Sequence, residues 1–236
     1  MSAAWPISMG VAVAAALCAA ALAADPAPTK PASMDETLWR RLTEIDGRVA
    51  KIEDLRGDFT QEKFTPLLKK PLVSRGRVVI KGSRMRWDTA EPRISVMLLS
   101  ATEITFYYPA DKAAEVYPLD QRAGELAASP LPRLGLLLKY FDVGLNSAAG
   151  GGVTGDMLAL RLKPLAGELK EHVDHVDVVV DVRRGYLTRM EMVDGQGERT
   201  TVSFTHVQLN THVTEDAVSL KLPEGTRVSR PLEAAR

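Results

Sequence analysis

A strict alternation of apolar and polar residues constrains the fold of this chain more than any other feature. Within Gly76–Pro92, Val78 and Ile80 share one face of a first strand, and Met85 and Trp87 share one face of a second. Residues two apart lie on the same face of a β-strand, so this pattern predicts a hairpin with one large apolar face. Arginine and lysine occupy most of the intervening positions, which gives the hairpin a cationic second face.

Similar alternation recurs along most of the chain after position 57. Short alternating segments follow one another at about ten-residue spacing, with turn residues between them and no helix-length segment between the early ones. We therefore predict an antiparallel sheet of about ten to eleven strands, without an internal repeat or a domain boundary. Outside the hairpin, the predicted strands are Asp58–Phe64, Ile94–Leu99, Ile104–Tyr108, Glu115–Leu119, Leu158–Lys163, Val176–Val182, Leu187–Val193, Thr200–Leu209 and Val218–Leu222.

Two segments have a helical pattern instead. Ser33 and Glu36 have the spacing of a capping box, and apolar residues three or four apart follow, which predicts an amphipathic helix that ends near Gly57. The Leu-rich stretch Pro130–Phe141 predicts one or two helical turns, followed by a Gly-rich loop at 146–152. The apolar stripe of the first helix consists of Leu38, Leu42, Ile45, Val49 and Ile52.

An antiparallel sheet with one apolar face must cover that face. The only cover that the pattern offers is the amphipathic helix and the short Leu-rich segment. Two small helices cover a strongly curved sheet but leave a flat one partly bare, so we predict a mainly β (α+β) fold with helices in the concavity of a curved sheet. Whether the helices fill that concavity or leave an apolar ligand cavity is not decided by the pattern.

The N-terminal segment predicts export. Residues 1–24 are almost wholly small and apolar from Ile7 onward and end in Ala-Leu-Ala-Ala, as a cleaved signal peptide does, although the run is long enough to border on a membrane anchor. Cys18, the only cysteine, lies inside it, so a processed chain would have no thiol chemistry or disulfide. We expect a flexible lead-in at 25–35, one domain at 36–228 and a polar tail at 229–236.

Charge and motifs exclude several functions. Lys plus Arg and Asp plus Glu both number 30, which gives no support for nucleic-acid binding. We find no nucleophile elbow, zinc-protease motif or phosphate-binding glycine loop. His172 and His175 lie in a polar turn and are expected to be solvated rather than to bind a metal. A hydrolase that uses His206 or His172 is the remaining catalytic hypothesis; we expect no enzyme activity, metal or cofactor.

An ordered set of short motifs resembles a known family. The chain resembles the LolA family of periplasmic lipoprotein carriers over about residues 36–228, and it is the order of the motifs, rather than any one of them, that carries the resemblance. The motifs are Phe59-Thr60-Gln61, Gly76, Met85-Arg86-Trp87, Glu91-Pro92, Tyr107-Tyr108-Pro109, Val116–Leu119, Phe141, Leu158–Pro164, Met190–Phe204, Leu209-Asn210 and Leu222-Pro223-Glu224-Gly225.

The resemblance implies a fold, a function and partners. It implies an unclosed antiparallel half-barrel whose concave apolar face is covered by a helical lid. The implied function is a monomeric periplasmic carrier that takes acylated lipoproteins from an inner-membrane ABC-type transporter to an outer-membrane acceptor. Arg86 matches the family's arginine that holds the lid shut. The expected cavity residues are Phe59, Met85, Trp87, Ile104, Phe106, Leu134, Leu137, Leu138, Met190 and Phe204.

Three departures from the family pattern leave the cargo open. Met85 replaces an aromatic residue, Tyr108 replaces an aspartate, and the glycines at 150–152 are unusual. The alternatives are a carrier of another lipid, and a binding or sensor protein of the cell envelope that carries nothing.

Overall fold

The computed structural model describes residues 28–119, 133–146, 153–165 and 168–231. The predicted signal peptide, the glycines at 150–152 and the end of the polar tail lie outside the described residues. Within the described ranges, no helix is both long and apolar enough to cross a membrane.

One curved, unclosed sheet of thirteen strands dominates the described part of the chain. Its order is β13-β6-β5-β4-β3-β2-β1-β12-β11-β10-β9-β7, with β8 paired to β9. The strands are β1 (Asp54–Phe64), β2 (Leu72–Lys81), β3 (Arg84–Glu91), β4 (Ser95–Leu99), β5 (Glu103–Tyr108), β6 (Ala113–Pro118), β7 (Phe141–Leu145), β8 (Val153–Thr154), β9 (Met157–Pro164), β10 (His175–Asp181), β11 (Tyr186–Val193), β12 (Arg199–Leu209) and β13 (Arg227–Ser229). The predicted fold class is confirmed, except that β13 pairs with β6 in parallel.

The helices are short and few. They are α1 (Glu36–Val49), α2 (Leu134–Tyr140) and α3 (Glu168–His172), with 3-10 turns at Pro109–Asp111 and Glu215–Val218. The predicted capping box is wrong in detail, because the N-cap of α1 is Asp35, whose carboxylate accepts from the amides of Thr37 and Leu38. These hydrogen bonds hold the pKa of Asp35 below its usual value.

Gly57 does not end the first helix, as the sequence suggested. The helix ends at Val49, and Gly57 lies inside β1, opposite Val78. A Cβ at Gly57 would lie 3.1 Å from the carbonyl oxygen of Thr205 and 3.1 Å from Cγ2 of Val207. The glycine is therefore explained by the close approach of β12, not by a chain break.

Gly76 allows aromatic packing at the centre of the sheet. A Cβ at this position would lie 1.9 Å from the carbonyl oxygen of Asp88. This separation is too short for a non-bonded contact, so only glycine fits here. The ring of Phe59, opposite Gly76 in the ladder, packs on Trp87 with centroids 4.0 Å apart, and Phe204 meets Trp87 edge-on at 5.9 Å. The alternation across Gly76–Pro92 thus produces the apolar inner face that it predicts.

Part of the convex face, over strands β2 to β6, is covered by a C-terminal strap, residues 211–222. The sequence predicted a strand at Val218–Leu222, and this is wrong: the segment forms a 3-10 turn and then an extended stretch. Leu220 and Leu222 pack on a small cluster of Val96, Tyr107 and Ala114. The strap therefore gives the outer face its own apolar contact, separate from the main core.

Asp54 forms hydrogen bonds with the beginning of the strap. Its carboxylate, 4% exposed, accepts hydrogen bonds from the amide and hydroxyl of Thr211 and from the amide of Val213. Burial alone would raise the pKa of Asp54, but these hydrogen bonds outweigh it and hold the pKa below its usual value. The charged form of Asp54 is therefore the form that stabilises the fold.

Candidate functional site

Helix α1 lies on the concave face of the sheet and is attached to it by apolar contacts. Its buried side chains are Leu38, Leu42, Ile45 and Val49, one stripe of the helix. In the part of the chain that the structure describes, no hydrogen bond or ion pair joins a side chain of α1 to a strand. Displacing α1 would therefore break no polar bond to the sheet, provided that another apolar group took its place.

The polar tie of α1 is to the start of α2, through Asp46. Nε and Nη2 of Arg133 each donate to a carboxylate oxygen of Asp46 at 2.8 Å, in a bidentate pair. The amide of Leu134, the first residue of α2, donates to Oδ1 of Asp46 at 2.8 Å. One carboxylate thus joins the two helices and caps an amide that α2 leaves without a partner.

The environment of Asp46 keeps it charged. Desolvation would raise its pKa, since its side chain is only 14% exposed. The hydrogen bond from Arg133, the Leu134 amide and the guanidinium charge together outweigh burial, and the pKa of Asp46 lies below its usual value. At neutral pH the contact between the helices is therefore a complete charge-assisted pair.

An apolar void lies beneath the two helices and is nearly filled. It has a volume of about 20 Å³, close to that of one water molecule, whereas an apolar cavity needs about 150 Å³ to bind benzene. The void is lined by Leu42, Ile45, Asp46, Val49, Leu134, Leu137, Leu160, Leu162, Val178, Val180, Leu187 and Met190. A void of this size holds no acyl chain, so among the described residues the apolar face beneath α1 and α2 is covered.

The predicted cavity residues are all apolar core, but only part of the set lies at the void. Leu134, Leu137 and Met190 line it. The others pack in the same continuous core; Phe59, Met85, Trp87, Ile104 and Phe106 are buried and Leu138 and Phe204 are partly buried. The void lies under strands β9 to β11, whereas half of the predicted cavity residues lie on strands β1 to β5.

The expectation that Arg86 faces the lid is wrong. Met85 and Trp87 point into the core, at 0% and 6% exposure, so alternation turns Arg86 to the convex face. There its guanidinium pairs with the carboxylate of Asp88 and donates to the carbonyl oxygen of Ser219 in the strap. Arg86 fastens the C-terminal strap, and the contact between α1 and α2 is made by Asp46 and Arg133 instead.

Sequence reasoning missed Asp46, although a signal was present. Asp46 lies four residues after Leu42 and three before Val49, and so borders the buried stripe of α1. A carboxylate at such a position needs a partner, and Arg133 directly precedes the Leu-rich segment that supplies the second helix. The sequence shows both charges but not that the two helices meet.

The histidines show no constellation for chemistry. Nδ1 of His206 lies 2.9 Å from Asp58 on an exposed surface, His175 pairs with Asp174, and His172 is exposed. Among the described residues, no group of three or more His, Cys, Asp or Glu side chains is arranged to hold a metal ion. The functional geometry of this region is therefore the apolar face and its helical cover.

Curated proteins are similar to this chain in sequence. An outer-membrane lipoprotein carrier protein of Azotobacter vinelandii is 25% identical over 199 residues, covering 84% of this chain and 90% of its own. One of Pseudomonas syringae pv. syringae is 23% identical over 200 residues, covering 84% of this chain and 90% of its own.

The fold also has a solved counterpart. The crystal structure of an uncharacterized conserved protein from Thermus thermophilus aligns with a TM-score of 0.52 at 12% identity, over 83% of this chain and 99% of that one. The family model described as outer membrane lipoprotein carrier protein LolA matches residues 50–221, well over half of the sequence. The chain therefore belongs to the LolA family of outer membrane lipoprotein carrier proteins.

Proposed function

We propose that this protein is a carrier that shields the acyl chains of lipoproteins between its curved sheet and the two helices, α1 and α2. The observation that carries the proposal is the nature of the cover. The side chains that α1 buries are apolar, no hydrogen bond or ion pair joins its side chains to a strand among the described residues, and the carboxylate of Asp46 joins it to α2. A surface covered in this way can exchange one apolar occupant for another without leaving polar groups unsatisfied.

The energies of such an exchange are comparable on both sides. Burying a leucine or valine side chain stabilises by about 1.5–3 kcal/mol, so lifting the stripe of α1 exposes groups worth roughly 10 kcal/mol. An acyl chain of about fifteen methylene groups gains roughly 12 kcal/mol on leaving water, at about 0.8 kcal/mol per methylene. Loading and release are then both accessible, as a carrier requires.

A fluorescent fatty acid tests acyl binding directly. We expect the folded chain to take up the probe saturably with a stoichiometry near one, and unlabelled palmitate to displace it. Folded protein that takes up no probe at any concentration below the critical micelle concentration of the fatty acid would contradict the proposal.

The complete role that we propose is transport across the periplasm. The apolar N-terminal segment and the names of the relatives support export and lipoprotein cargo. In this role an inner-membrane ABC-type transporter delivers the lipoprotein and an outer-membrane acceptor receives it, with the carrier as a monomer. Spheroplasts incubated with the purified chain should release a labelled lipoprotein into the supernatant, bound to the chain. Release at the level of buffer alone would contradict lipoprotein transport. The proposal would then be reduced to acyl binding, with another lipid as the cargo.

A second candidate is favoured by the small size of the void. A concave face that is filled apart from about 20 Å³ suits an envelope protein that docks on a partner and carries nothing. The fatty-acid titration separates the two functions, because a docking protein with a permanent core takes up no probe.

A further inference from the structure

Exposed apolar side chains are concentrated at one end of the strands. The antiparallel registers show which loops share an end of the sheet. The β1–β2 loop, the β3–β4 turn and the residue after β9 all lie at the end where β1 finishes. Five of the eight large apolar side chains that are exposed among the described residues lie there: Leu67, Leu68, Leu72, Ile94 and Leu165. Surface apolar residues are ordinarily scattered, so this clustering needs an explanation.

The β1–β2 tip, residues 65–71, holds the most exposed of these side chains. Leu67 is 92% exposed, the highest value among these apolar residues, and Leu68 is 45% exposed. The tip has a defined turn, in which the amide of Leu68 donates to the carbonyl oxygen of Thr65 at 3.1 Å and the amide of Leu67 donates to Oγ1 of Thr65 at 3.2 Å. The backbone thus holds the two leucines toward solvent.

The same tip carries positive charge. Lys69 and Lys70 follow the leucines, both are exposed, and neither forms an ion pair in the described part of the chain. Three pairs of neighbouring charges at this end neutralise each other: Lys63 with Glu198, Arg75 with Glu91, and Arg93 with Asp111. The tip, residues 65–71, thus carries two lysines and no acidic residue beside its two exposed leucines.

We propose that the β1–β2 tip inserts into the surface of a bilayer that contains anionic lipids. Leucines on a projecting turn can enter the boundary between headgroups and acyl chains, while the adjacent ammonium groups stay among the phosphates. The positive charge of the tip complements such a surface, and each lysine near it contributes about fivefold to the partition coefficient. A projecting knob with two neighbouring cations suits a lipid surface better than a protein groove.

A site-specific fluorophore tests the insertion. In a full chain with Cys18→Ser, Leu67→Cys is labelled with a polarity-sensitive nitrobenzoxadiazole and mixed with vesicles of phosphatidylethanolamine and phosphatidylglycerol. Leu145→Cys is the control, because Leu145 is also an exposed leucine, at 45%, but lies at the far end of edge strand β7. Both labelled chains carry the same N-terminal segment, so any binding by that segment affects both equally.

We expect the label at position 67 to shift to shorter wavelength and to be quenched by spin-labelled lipid, whereas the label at 145 does neither. Replacing Lys69 and Lys70 with Gln should weaken vesicle partition about fivefold for each lysine. An unchanged spectrum at 67, or the same shift at both positions, would overturn the proposal. A tip that docks on a protein would give the unchanged spectrum with pure lipid vesicles.

This proposal does not depend on acyl carriage. A chain that inserts its tip but takes up no fatty acid would keep this inference and contradict the proposed carrier function. Uptake of fatty acid without insertion would do the opposite.

Discussion

Asp46 joins the two helices that lie on the concave face, and under the proposed function it controls how readily they separate. It accepts from Arg133 and from the amide of Leu134, and these are contacts between α1 and α2 rather than between a helix and the sheet. A single substitution there should alter how readily the cover opens while leaving the apolar face unchanged.

The first prediction concerns the rate of acyl uptake. Asp46→Asn removes the charge that pairs with Arg133, so opening becomes cheaper by about 1 kcal/mol and stopped-flow uptake of the fluorescent fatty acid accelerates roughly fivefold. Asp177→Asn is the matched control, since Asp177 also forms a bidentate pair, with Arg161, but between two strands. Equal acceleration in both variants would show that the pair between Asp46 and Arg133 does not control opening of the helices.

The second prediction concerns Arg86. Because it joins Asp88 to the strap at Ser219, Arg86→Leu should lower the free energy of unfolding by about 1–2 kcal/mol in urea titrations. Acyl uptake should not change. Arg84→Leu serves for comparison, since Arg84 meets Glu215 only at 3.4 Å on an exposed surface, where such pairs contribute about 0–1 kcal/mol. A variant at Arg86 with full stability and altered acyl uptake would restore the latch that the sequence resemblance implied.

The third prediction is a pH dependence. The pKa of Asp54 is lower in the folded chain than its unfolded value of 3.8, so the stabilisation is complete above that value and is lost as the pH falls through the folded pKa. Chemical unfolding should therefore show stability that is constant near neutral pH and declines below about pH 4. Asp54→Asn should start lower and decline less; parallel curves for the two proteins would show that Asp54 contributes nothing to the decline.

At the scale of elements, α1 is positioned at its C-terminal end by a glycine turn. Gly185, between β10 and β11, has φ +74°, and a Cβ there would lie 2.9 Å from Cβ of Arg48 and 3.3 Å from the amide nitrogen of Val49. Only a residue without a side chain lets this turn and the end of α1 approach so closely.

The fourth prediction tests that contact. Gly185→Ala should push the end of α1 away from the sheet, and hydrogen exchange of the α1 amides should speed up while that of β1 and β12 stays the same. Gly197→Ala is the control, because it also has a positive φ but nothing lies within 4 Å of its Cβ position. Equal exchange in α1 for both variants would mean that the turn does not position the helix.

The elements also show how far the sequence alone predicts this structure. Alternation and periodicity depend on local burial, so the sheet, α1 and α2 were predictable, and the resemblance added the half-barrel. Val218–Leu222 alternates like a strand but lies across the convex face, because two of its leucines cover Val96, Tyr107 and Ala114 rather than pairing with a neighbour. Alternation shows that Trp87 and Arg86 lie on opposite faces of β3, but not which face each occupies. Packing of Trp87 in the core places it on the concave face, and Arg86 therefore lies on the convex face.

The candidate site was less predictable than the fold for the same reason. Its apolar residues could be named as a class, whereas the void lies under β9 to β11, where residues of both α1 and α2 line it. Asp46 and Arg133 are far apart in the chain, and no local pattern specifies that they meet. Long-range pairs of this kind follow from the packing of elements rather than from propensity.

At the scale of the whole molecule, the strap covers part of the convex face and the helices α1 and α2 lie on the concave face. The strap is held by carboxylate and guanidinium contacts from Asp54 and Arg86, whereas α1 is held to the strands by apolar burial. Under the proposed function, this asymmetry makes the concave face the one expected to open. The proposed insertion of the β1–β2 tip adds a point of contact with lipid at one end of the strands.

The central claim is that an acyl chain replaces α1 and α2 on the concave face, and hydrogen exchange with and without a bound acylated peptide tests it most directly. The account predicts that loading speeds exchange in α1 and α2, and leaves β1, β2 and β12 protected. Saturable binding with unchanged exchange in both helices, or no binding by the folded chain, would contradict it.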